Sequence, residues 1–290
     1  MTAAAALTVT ATGPASTIQD LGRPGWFSSG IGVSGAADRR SHALANRLVG
    51  NRDTAATIEC LLGGLTLQAT APVAVAVTGA PAPITVDGTP MGHATVIRLR
   101  AGQTLRLGMA AAGLWVYVAV RGGIDVTPVL GSRGRDTMSG LGPDPLSTGM
   151  RLPIGDDRER SIELDVAPVA AIGTDPVVAH VILGPRDDWF TEPQDLFVGW
   201  WEISDRTDRI GARLNRDPDF PALSRRNDKE LPTEGMPLGA IQVPPSGEPV
   251  IFLADHPITG GYPVIGTVID DDLDRVAQAR PGQHIIFRAV

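Results

Sequence analysis

The sequence predicts an all-β protein with a few short helices, and three observations lead there. Glycine (34) and proline (24) together make one fifth of the 290 residues, well above ordinary usage. The excess has no Gly-X-Y period, and aliphatic runs lie between the corners, which excludes collagen and a disordered chain. Only two segments carry helical periodicity. A chain that reverses every ~8–12 residues needs this many turns, and a helical bundle does not tolerate them.

In chain order, Leu65–Ala69, Val73–Thr78, Ile84–Asp87, Thr95–Leu99, Thr104–Leu107 and Leu114–Val120 read as strands. Gly63-Gly64, Gly79, Pro83, Gly88, Gly92 and Gly113 punctuate them. The second half repeats the style at Val177–Leu183, Glu202–Ser204, Ile241–Val243, Val250–Leu253, Val264–Val268 and His284–Phe287. Ala36–Val49 reads as a helix, because Ala37, Ser41, Leu44 and Leu48 share one face; Ser34 is its candidate N-cap and Gly50 follows its last turn. Asp271–Arg280 reads as the second helix, opened by an acidic turn and stopped by Pro281-Gly282.

The Ala/Pro/Gly-rich stretch Asp165–Pro176 reads as a linker, which divides the chain into residues 1–170 and 171–290. An internal echo supports two similar β domains: Arg100-Ala-Gly102-Gln103 and Arg280-Pro-Gly282-Gln283 each precede an alternating apolar strand. A shared turn type explains the echo equally well. The Pro-rich segment Asn215–Thr233 is long for a loop inside a compact domain, and such loops are often functional.

The net charge of −7 disfavours nonspecific binding to nucleic acid or anionic membranes. Lys229 is the sole lysine, so the other 24 basic residues are arginines; GC-rich codons account for that bias more simply than anion recognition does. A single cysteine, Cys60, excludes an internal disulfide framework and a cysteine-rich zinc site, and its apolar setting suits a buried, inert thiol. Met1 to Ala6 carries no basic leader and no stretch is apolar enough to span a membrane, so a cytoplasmic location is expected.

Gly30-Ile-Gly32-Val-Ser34-Gly35 matches G-x-G-x-x-G, but a polar, turn-forming lead-in replaces the strand that a dinucleotide-binding unit requires. There is no Walker loop and no G-x-S-x-G elbow. The five histidines are scattered without ligand spacing, so no metal site is expected, and His42 and His284 read as structural.

What remains are polar residues among glycines, where backbone can approach a ligand closely. Four clusters stand out: Gln19, Asp20, Gly22 and Arg23; Ser34, Gly35 and Asp38; Arg121 through Asp125 with Ser132, Arg133 and Asp136; and Gln242, Asp255, Thr259, Gly260, Gly261 and Tyr262. The turn at Ser34–Gly35 suits an anion, although plain N-capping by Ser34 or Asp38 fits the spacing better. The arginines of the third cluster suit an anion, or they pin their own turn through Asp125 and Asp136.

Taken together, the stretches TIQDLGRPGW, GVSGAADRRSHALANRLVGN, IECLLGG, RGGIDVTPVLGSRGRDT, LGPRDDWF, TDRIGARL and EGMPLGAIQVPPSGEPVIFLADHPITGGYPVIGTVIDDDLDRVAQARPGQ resemble the KipA family. That family is also known as allophanate hydrolase subunit 2 and as the C subunit of 5-oxoprolinase. The resemblance runs from Thr17 to Gln283 and implies two tandem cyclophilin-like β-barrel domains. It implies a component of an ATP-dependent 5-oxoprolinase that opens 5-oxoproline (pyroglutamate) to glutamate. The implied partners are a KipI-like protein (allophanate hydrolase subunit 1) and a LamB/YcsF-like subunit, without which the chain would be inactive. Two other readings stay open: half of a biotin-dependent carboxyltransferase of the urea carboxylase type, and a non-catalytic regulator that binds the KipI-like protein. The only lysine lies in Asp228-Lys229-Glu230, so biotin would have to come from another polypeptide.

5-Oxoproline carries one carboxylate and an amide that is unreactive until its oxygen is phosphorylated. On this reading Arg23, Arg133 and Arg209 bind anions, with Ser132 beside them. Ser34–Gly35 and Thr259–Gly261 cradle an oxyanion or phosphate. Asp20 or Asp255 orients Mg²⁺ or a proton, and Gln242 and Tyr262 shape the pocket. ATP and Mg²⁺ enter by resemblance, bound here or with a partner protein. Two departures bear on the ligand: the family's DRQTTGGYP appears as Asp255-His256-Pro257-Ile258-Thr259-Gly260-Gly261-Tyr262-Pro263, and its SNRMG as Thr207-Asp208-Arg209-Ile210-Gly211.

Overall fold

The computed structural model describes residues 5–227 and 229–290; Met1–Ala4, part of the Met1 to Ala6 segment read as carrying no basic leader, and Asp228 beside the sole lysine lie outside the described residues. The architecture is mostly β, with two α-helices among the described residues. The chain divides into two units. The first holds the described chain up to Arg23, Ser34–Asp136 and Gly140–Gly173; the second holds Pro24–Val33, Thr137–Ser139 and Thr174–Val290.

In the first unit the strands are β1 (Ala6–Thr12), β2 (Ala15–Gln19), β3 (Thr57–Leu61), β4 (Leu65–Ala69), β5 (Val73–Gly79) and β6 (Ile84–Val86). They continue as β7 (Thr89–Met91), β8 (Val96–Leu99), β9 (Thr104–Leu107), β10 (Trp115–Val120) and β11 (Arg151–Pro153). Two antiparallel sheets result, in the orders β11-β1-β4-β9-β6-β7 and β2-β3-β10-β5-β8. Strand β10 is buried at every position because it lies between β3 and β5, which is why it reads as an unbroken apolar run. The core of this unit is aliphatic, drawing Leu7, Val9, Leu65 and Leu67 from one sheet and Ile58, Val75, Val77 and Val116 from the other.

Helix α1 (Arg39–Leu48) starts later than Ala36, and its N-cap is Asp38 rather than Ser34. Asp38 is extended and accepts from Ser41 N at 2.9 Å and Ser41 Oγ at 2.6 Å. Ser34 sits in the left-handed region (φ 57), four residues ahead of the cap, so its hydroxyl is out of register with the helix amides. Part of the expected linker is pinned as an edge pairing: Val96 N donates to Asp165 O and Ala167 N to Ala94 O.

The second unit contains β12 (Val177–Leu183), β13 (Trp201–Ile203), β14 (Gly211–Arg216), β15 (Glu234–Gly235) and β16 (Ala240–Gln242). It continues with β17 (Val250–Phe252), β18 (Thr259–Gly260), β19 (Val264–Val268), α2 (Asp270–Ala277) and β20 (His284–Ala289). Seven strands close a barrel in the order β12-β19-β16-β17-β14-β13-β20, in which β12 and β20 pair in parallel. Strands β15 and β18 form a separate short ribbon. Helix α2 opens with Asp270, Asp271 and Asp272, which oppose the positive end of its dipole, and stops at Ala277, short of the expected Arg280.

The two echoing turns are the same structure. Gln103 Oε1 accepts from Arg100 N at 2.9 Å, and Gln283 Oε1 from Arg280 N at 3.1 Å. Each turn has a left-handed glycine before the glutamine, Gly102 (φ 85) and Gly282 (φ 82), and each leads into a strand.

Candidate functional site

In the first unit the chain after β2 meets the loop that carries Ser132 to Asp136. Asp20 is buried and its carboxylate is fully engaged. Oδ1 accepts from Gly22 N at 2.8 Å and Ser132 Oγ at 2.6 Å, while Oδ2 accepts from Arg133 N at 2.6 Å. Ser132 is itself buried and accepts from Gly134 N at 2.9 Å. The structure therefore brings Asp20, Arg23, Ser132 and Arg133 together, through contacts more than a hundred residues apart in sequence. Arg133 stays half-buried, with Nε donating to Val126 O at 2.9 Å and Nη2 to Asp125 Oδ1 at 3.1 Å. It pins its own turn and keeps part of its guanidinium at the surface. Arg23 is fully buried; Nη2 donates to Gly134 O and Nη1 lies 3.8 Å from Asp136 Oδ2.

The turn at Ser34–Gly35 packs on the same segment. Gly35 has φ 101, and a Cβ there would stand 2.8 Å from Gly22 N and Leu21 C, so close backbone approach demands glycine. The amides that follow are taken by the protein itself. Ala36 N donates to Asp20 O at 2.8 Å, Ala37 N to Glu59 Oε2 at 2.9 Å, and Asp38 N to Tyr117 Oη at 2.8 Å. Tyr117 in turn donates to Glu59 Oε2 at 2.7 Å, and burial, then the Glu59 charge, pushes its phenol well above the usual range. The buried carboxylate of Glu59 thus occupies part of the place that an external anion would take. His42 lies edge-on to Tyr117, with Nδ1 2.9 Å from Thr57 Oγ1 and Nε2 2.9 Å from Asp53 O. Burial lowers its pKa to about 4, so the ring is neutral and structural.

In the second unit Arg209 and Asp255 are both buried and paired, Nε to Oδ2 at 2.8 Å and Nη2 to Oδ1 at 3.0 Å. Thr137 adds its amide at 2.9 Å and its hydroxyl at 2.6 Å, both to Asp255 Oδ2. Two residues expected to meet ligand groups separately therefore hold one another. The departing His256 stacks on Phe252 (ring centroids 6.0 Å apart), and burial lowers its pKa.

A second group in this unit surrounds the β15–β18 ribbon. Gln242 Nε2 donates to Tyr262 O at 3.3 Å and lies over Gly260, where a Cβ would come within 2.5 Å of it. Thr259 and Gly260 pair with Gly235 and Glu234, Gly261 is exposed, and Tyr262 is 46% exposed. Arg186 grips Glu234 through Nε at 3.1 Å and through Nη2, an ion pair that sequence reasoning missed. The other missed residues are Glu59, Tyr117 and Thr137; an acidic residue inside the apolar run Thr57–Leu61 was the one local signal available. Cys60 is buried and burial raises its pKa, as an inert thiol requires. No group of three or more His, Cys, Asp or Glu side chains could hold a metal among the described residues. No helix among them is long and apolar enough to cross a membrane.

Comparison with known proteins gives a consistent result. The family model for the carboxyltransferase domain, subdomain A and B, matches residues 29–289. The 5-oxoprolinase C subunit of Escherichia coli (strain K12) is 36% identical over 278 residues, covering 93% of this chain and 87% of its own length. The urea amidolyase of Saccharomyces cerevisiae is 30% identical over 313 residues, covering 97% of this chain but 16% of that protein. Among solved structures, TTHA0988 superposes with a TM-score of 0.88 at 32% identity over 99% of this chain, which spans 56% of the TTHA0988 chain. The Kluyveromyces lactis urea carboxylase superposes with a TM-score of 0.89 at 28% identity, over 98% of this chain and 27% of that one.

Proposed function

The chain belongs to the carboxyltransferase domain, subdomain A and B, family, and from that premise we propose that it is the C subunit of a 5-oxoprolinase. The carrying observation is the near full-length match, on both sides, to a protein of that name; the urea amidolyase match covers a small fraction of a much longer chain. The reaction proposed is opening of the lactam of 5-oxoproline. The ring C–N bond breaks, water supplies hydroxyl to the carbonyl carbon and a proton to nitrogen, and ATP hydrolysis drives the step. A KipI-like protein (allophanate hydrolase subunit 1) and a LamB/YcsF-like protein are the proposed partners, and the chain is proposed to be inactive without them.

In the first unit, the half-exposed guanidinium of Arg133 is proposed to meet a substrate carboxylate. Asp20 and Ser132 hold the loop that presents it, and Gly35 lets the turn at Ser34 lie against residues 20–22. In the second unit, Gln242 and Tyr262 are proposed to line a ligand surface formed with Thr259, Gly260 and Gly261. Arg209 and Asp255 act there as a buried brace, since each satisfies the other.

The residues present do not fit the phosphates of ATP at the start of α1, where the amides of Ala36, Ala37, Asp38 and Ser41 already serve internal oxygens. Nor do Asp20 and Asp255 offer open carboxylates to Mg²⁺, because backbone, hydroxyl and guanidinium donors occupy them. No step of the proposal runs through either group on this chain, and both are assigned to the partner proteins. The family description and the urea amidolyase match favour a second reading, a carboxyltransferase half whose biotin is carried by another polypeptide. ATP-dependent glutamate release by the reconstituted complex separates the two.

A further inference from the structure

Strands β15 and β18 stand apart from the barrel. They pair at two positions, Glu234 with Gly260 and Gly235 with Thr259, and Met236 N extends the ladder to Ile258 O at 2.9 Å. A two-stranded ribbon this short is not stable on its own, so other contacts must hold it in place. Beneath it lies Gln242 of β16. A Cβ on Gly260 would come within 2.5 Å of Gln242 Nε2 and 3.2 Å of Met236 Cγ, so that face of the ribbon is turned towards Gln242. Directly opposed residues of an antiparallel ladder share a face, as do residues two apart, which places Glu234 and Met236 on the same side. Met236 and Gln242 are both buried there, with Gln242 Nε2 3.8 Å from Met236 Sδ.

Glu234 is the residue that Arg186 grips, through Nε at 3.1 Å and through Nη2. Arg186 belongs to the barrel. Its amide donates to Val264 O at 3.0 Å, and Val264 is the residue that pairs with Gln242 across β16 and β19. One two-pronged ion pair therefore joins ribbon to barrel beside Gln242. Both side chains keep contact with water, 37% and 26% exposed, so salt can screen the pair. We infer that the β15–β18 ribbon is a strap over Gln242, latched to the barrel by Arg186 and Glu234, and that a ligand reaches Gln242 only when the latch opens. The ligand part rests on the function proposed above, in which Gln242 lines the ligand surface; the latch itself does not. Opening frees the short ladder and uncovers Met236 and Gln242, while the seven barrel strands keep their own pairings.

The test is hydrogen exchange of the full-length chain, read by mass spectrometry. At low salt Glu234→Gln is expected to speed exchange at residues 234–236 and 258–261 together by roughly fivefold, the effect of a well-formed, partly exposed ion pair. Exchange in β16, β17 and β19 should not change. Arg186→Gln should match Glu234→Gln, and the double variant should add nothing to either alone, since all three remove one contact. In the unaltered chain, about 1 M sodium chloride should speed the same residues and no others. Oxidation of Met236 by dilute peroxide should rise in step, while the exposed Met109 and Met138 keep their rates. Unchanged strap exchange in Glu234→Gln, additive effects of the two replacements, or acceleration of one strand alone would overturn the latch. Acceleration of the barrel strands as well would mean general destabilisation and overturn it equally. Exchange indifferent to salt in the unaltered chain would also overturn it, and this arm needs no variant. None of these readouts depends on turnover. A latch that behaves this way in a chain whose complex releases no glutamate would sink the 5-oxoprolinase reading and leave the strap standing. Glutamate release with a strap indifferent to salt and to Glu234→Gln would do the reverse.

Discussion

Arg209 holds Asp255 with two prongs, Nε to Oδ2 and Nη2 to Oδ1, and both side chains are buried. Removing one partner of a buried pair leaves an uncompensated charge, at a cost of about 3–5 kcal/mol. Asp255→Ala is therefore expected to lower the unfolding free energy by that amount in urea denaturation, since Thr137 loses its acceptor as well. The double replacement Arg209→Met with Asp255→Leu is expected to recover most of the loss. A cost below about 1 kcal/mol for Asp255→Ala, the level of an exposed pair, would contradict the brace.

Gly35 and Gly25 both have left-handed φ, 101 and 94, but differ in the space around them. At Gly25 no atom lies within 4 Å of an added Cβ, whereas at Gly35 the Cβ would meet backbone of Leu21 and Gly22 at 2.8 Å. Gly25→Ala is expected to cost about 1 kcal/mol, from backbone strain alone. Gly35→Ala should cost at least about 2 kcal/mol more, because backbone cannot give way cheaply. Thermal denaturation of the two variants compares them directly, and equal losses would refute the close approach.

His42 supplies a pH dependence. Burial lowers its pKa from 6.5 to about 4, so the folded chain favours the neutral ring. Between those values the unfolded chain binds more protons, and stability falls as the pH drops from 6.5 towards 4. The contribution is complete above 6.5 and is lost below about 4, amounting to about 3 kcal/mol in all. Urea denaturation across pH 4–7 should show this slope in the natural chain and lose most of it in His42→Gln. An identical slope in both would assign the acid sensitivity elsewhere.

Cys60 is buried, with Sγ donating to Gly63 O at 3.0 Å, and its thiol pKa is raised chiefly by burial. Native protein should react with a disulfide reagent orders of magnitude more slowly than denatured protein, at a rate that follows unfolding. Rapid labelling of the folded chain would contradict its placement.

The fold was legible wherever turn residues bracket an apolar run. Leu65–Ala69, Thr104–Leu107, Val177–Leu183 and Val264–Val268 are strands with those bounds. Thr57–Leu61 and Gly211–Arg216 were not legible, because Glu59 and the polar Arg213, Asn215 and Arg216 interrupt the pattern that burial or pairing then overrides. The start of α1 depended on choosing Asp38 over Ser34, and the left-handed φ of Ser34 has no mark in composition. At the site, sequence supplied the residues but not their pairings. That Asp20 meets Ser132, or that Arg209 and Asp255 neutralise each other, depends on contacts 112 and 46 positions apart. The unmet atoms of Arg23 and Gln19 are visible only once every neighbour is in place.

The central claim is that this chain is one component of a 5-oxoprolinase, and reconstitution tests it most directly. The purified chain, mixed with its KipI-like and LamB/YcsF-like partners, 5-oxoproline, Mg²⁺ and ATP, is expected to release glutamate. Omission of ATP or of this chain should abolish release. Absence of glutamate with all three proteins folded and present, or an undiminished rate when this chain is omitted, would contradict the account.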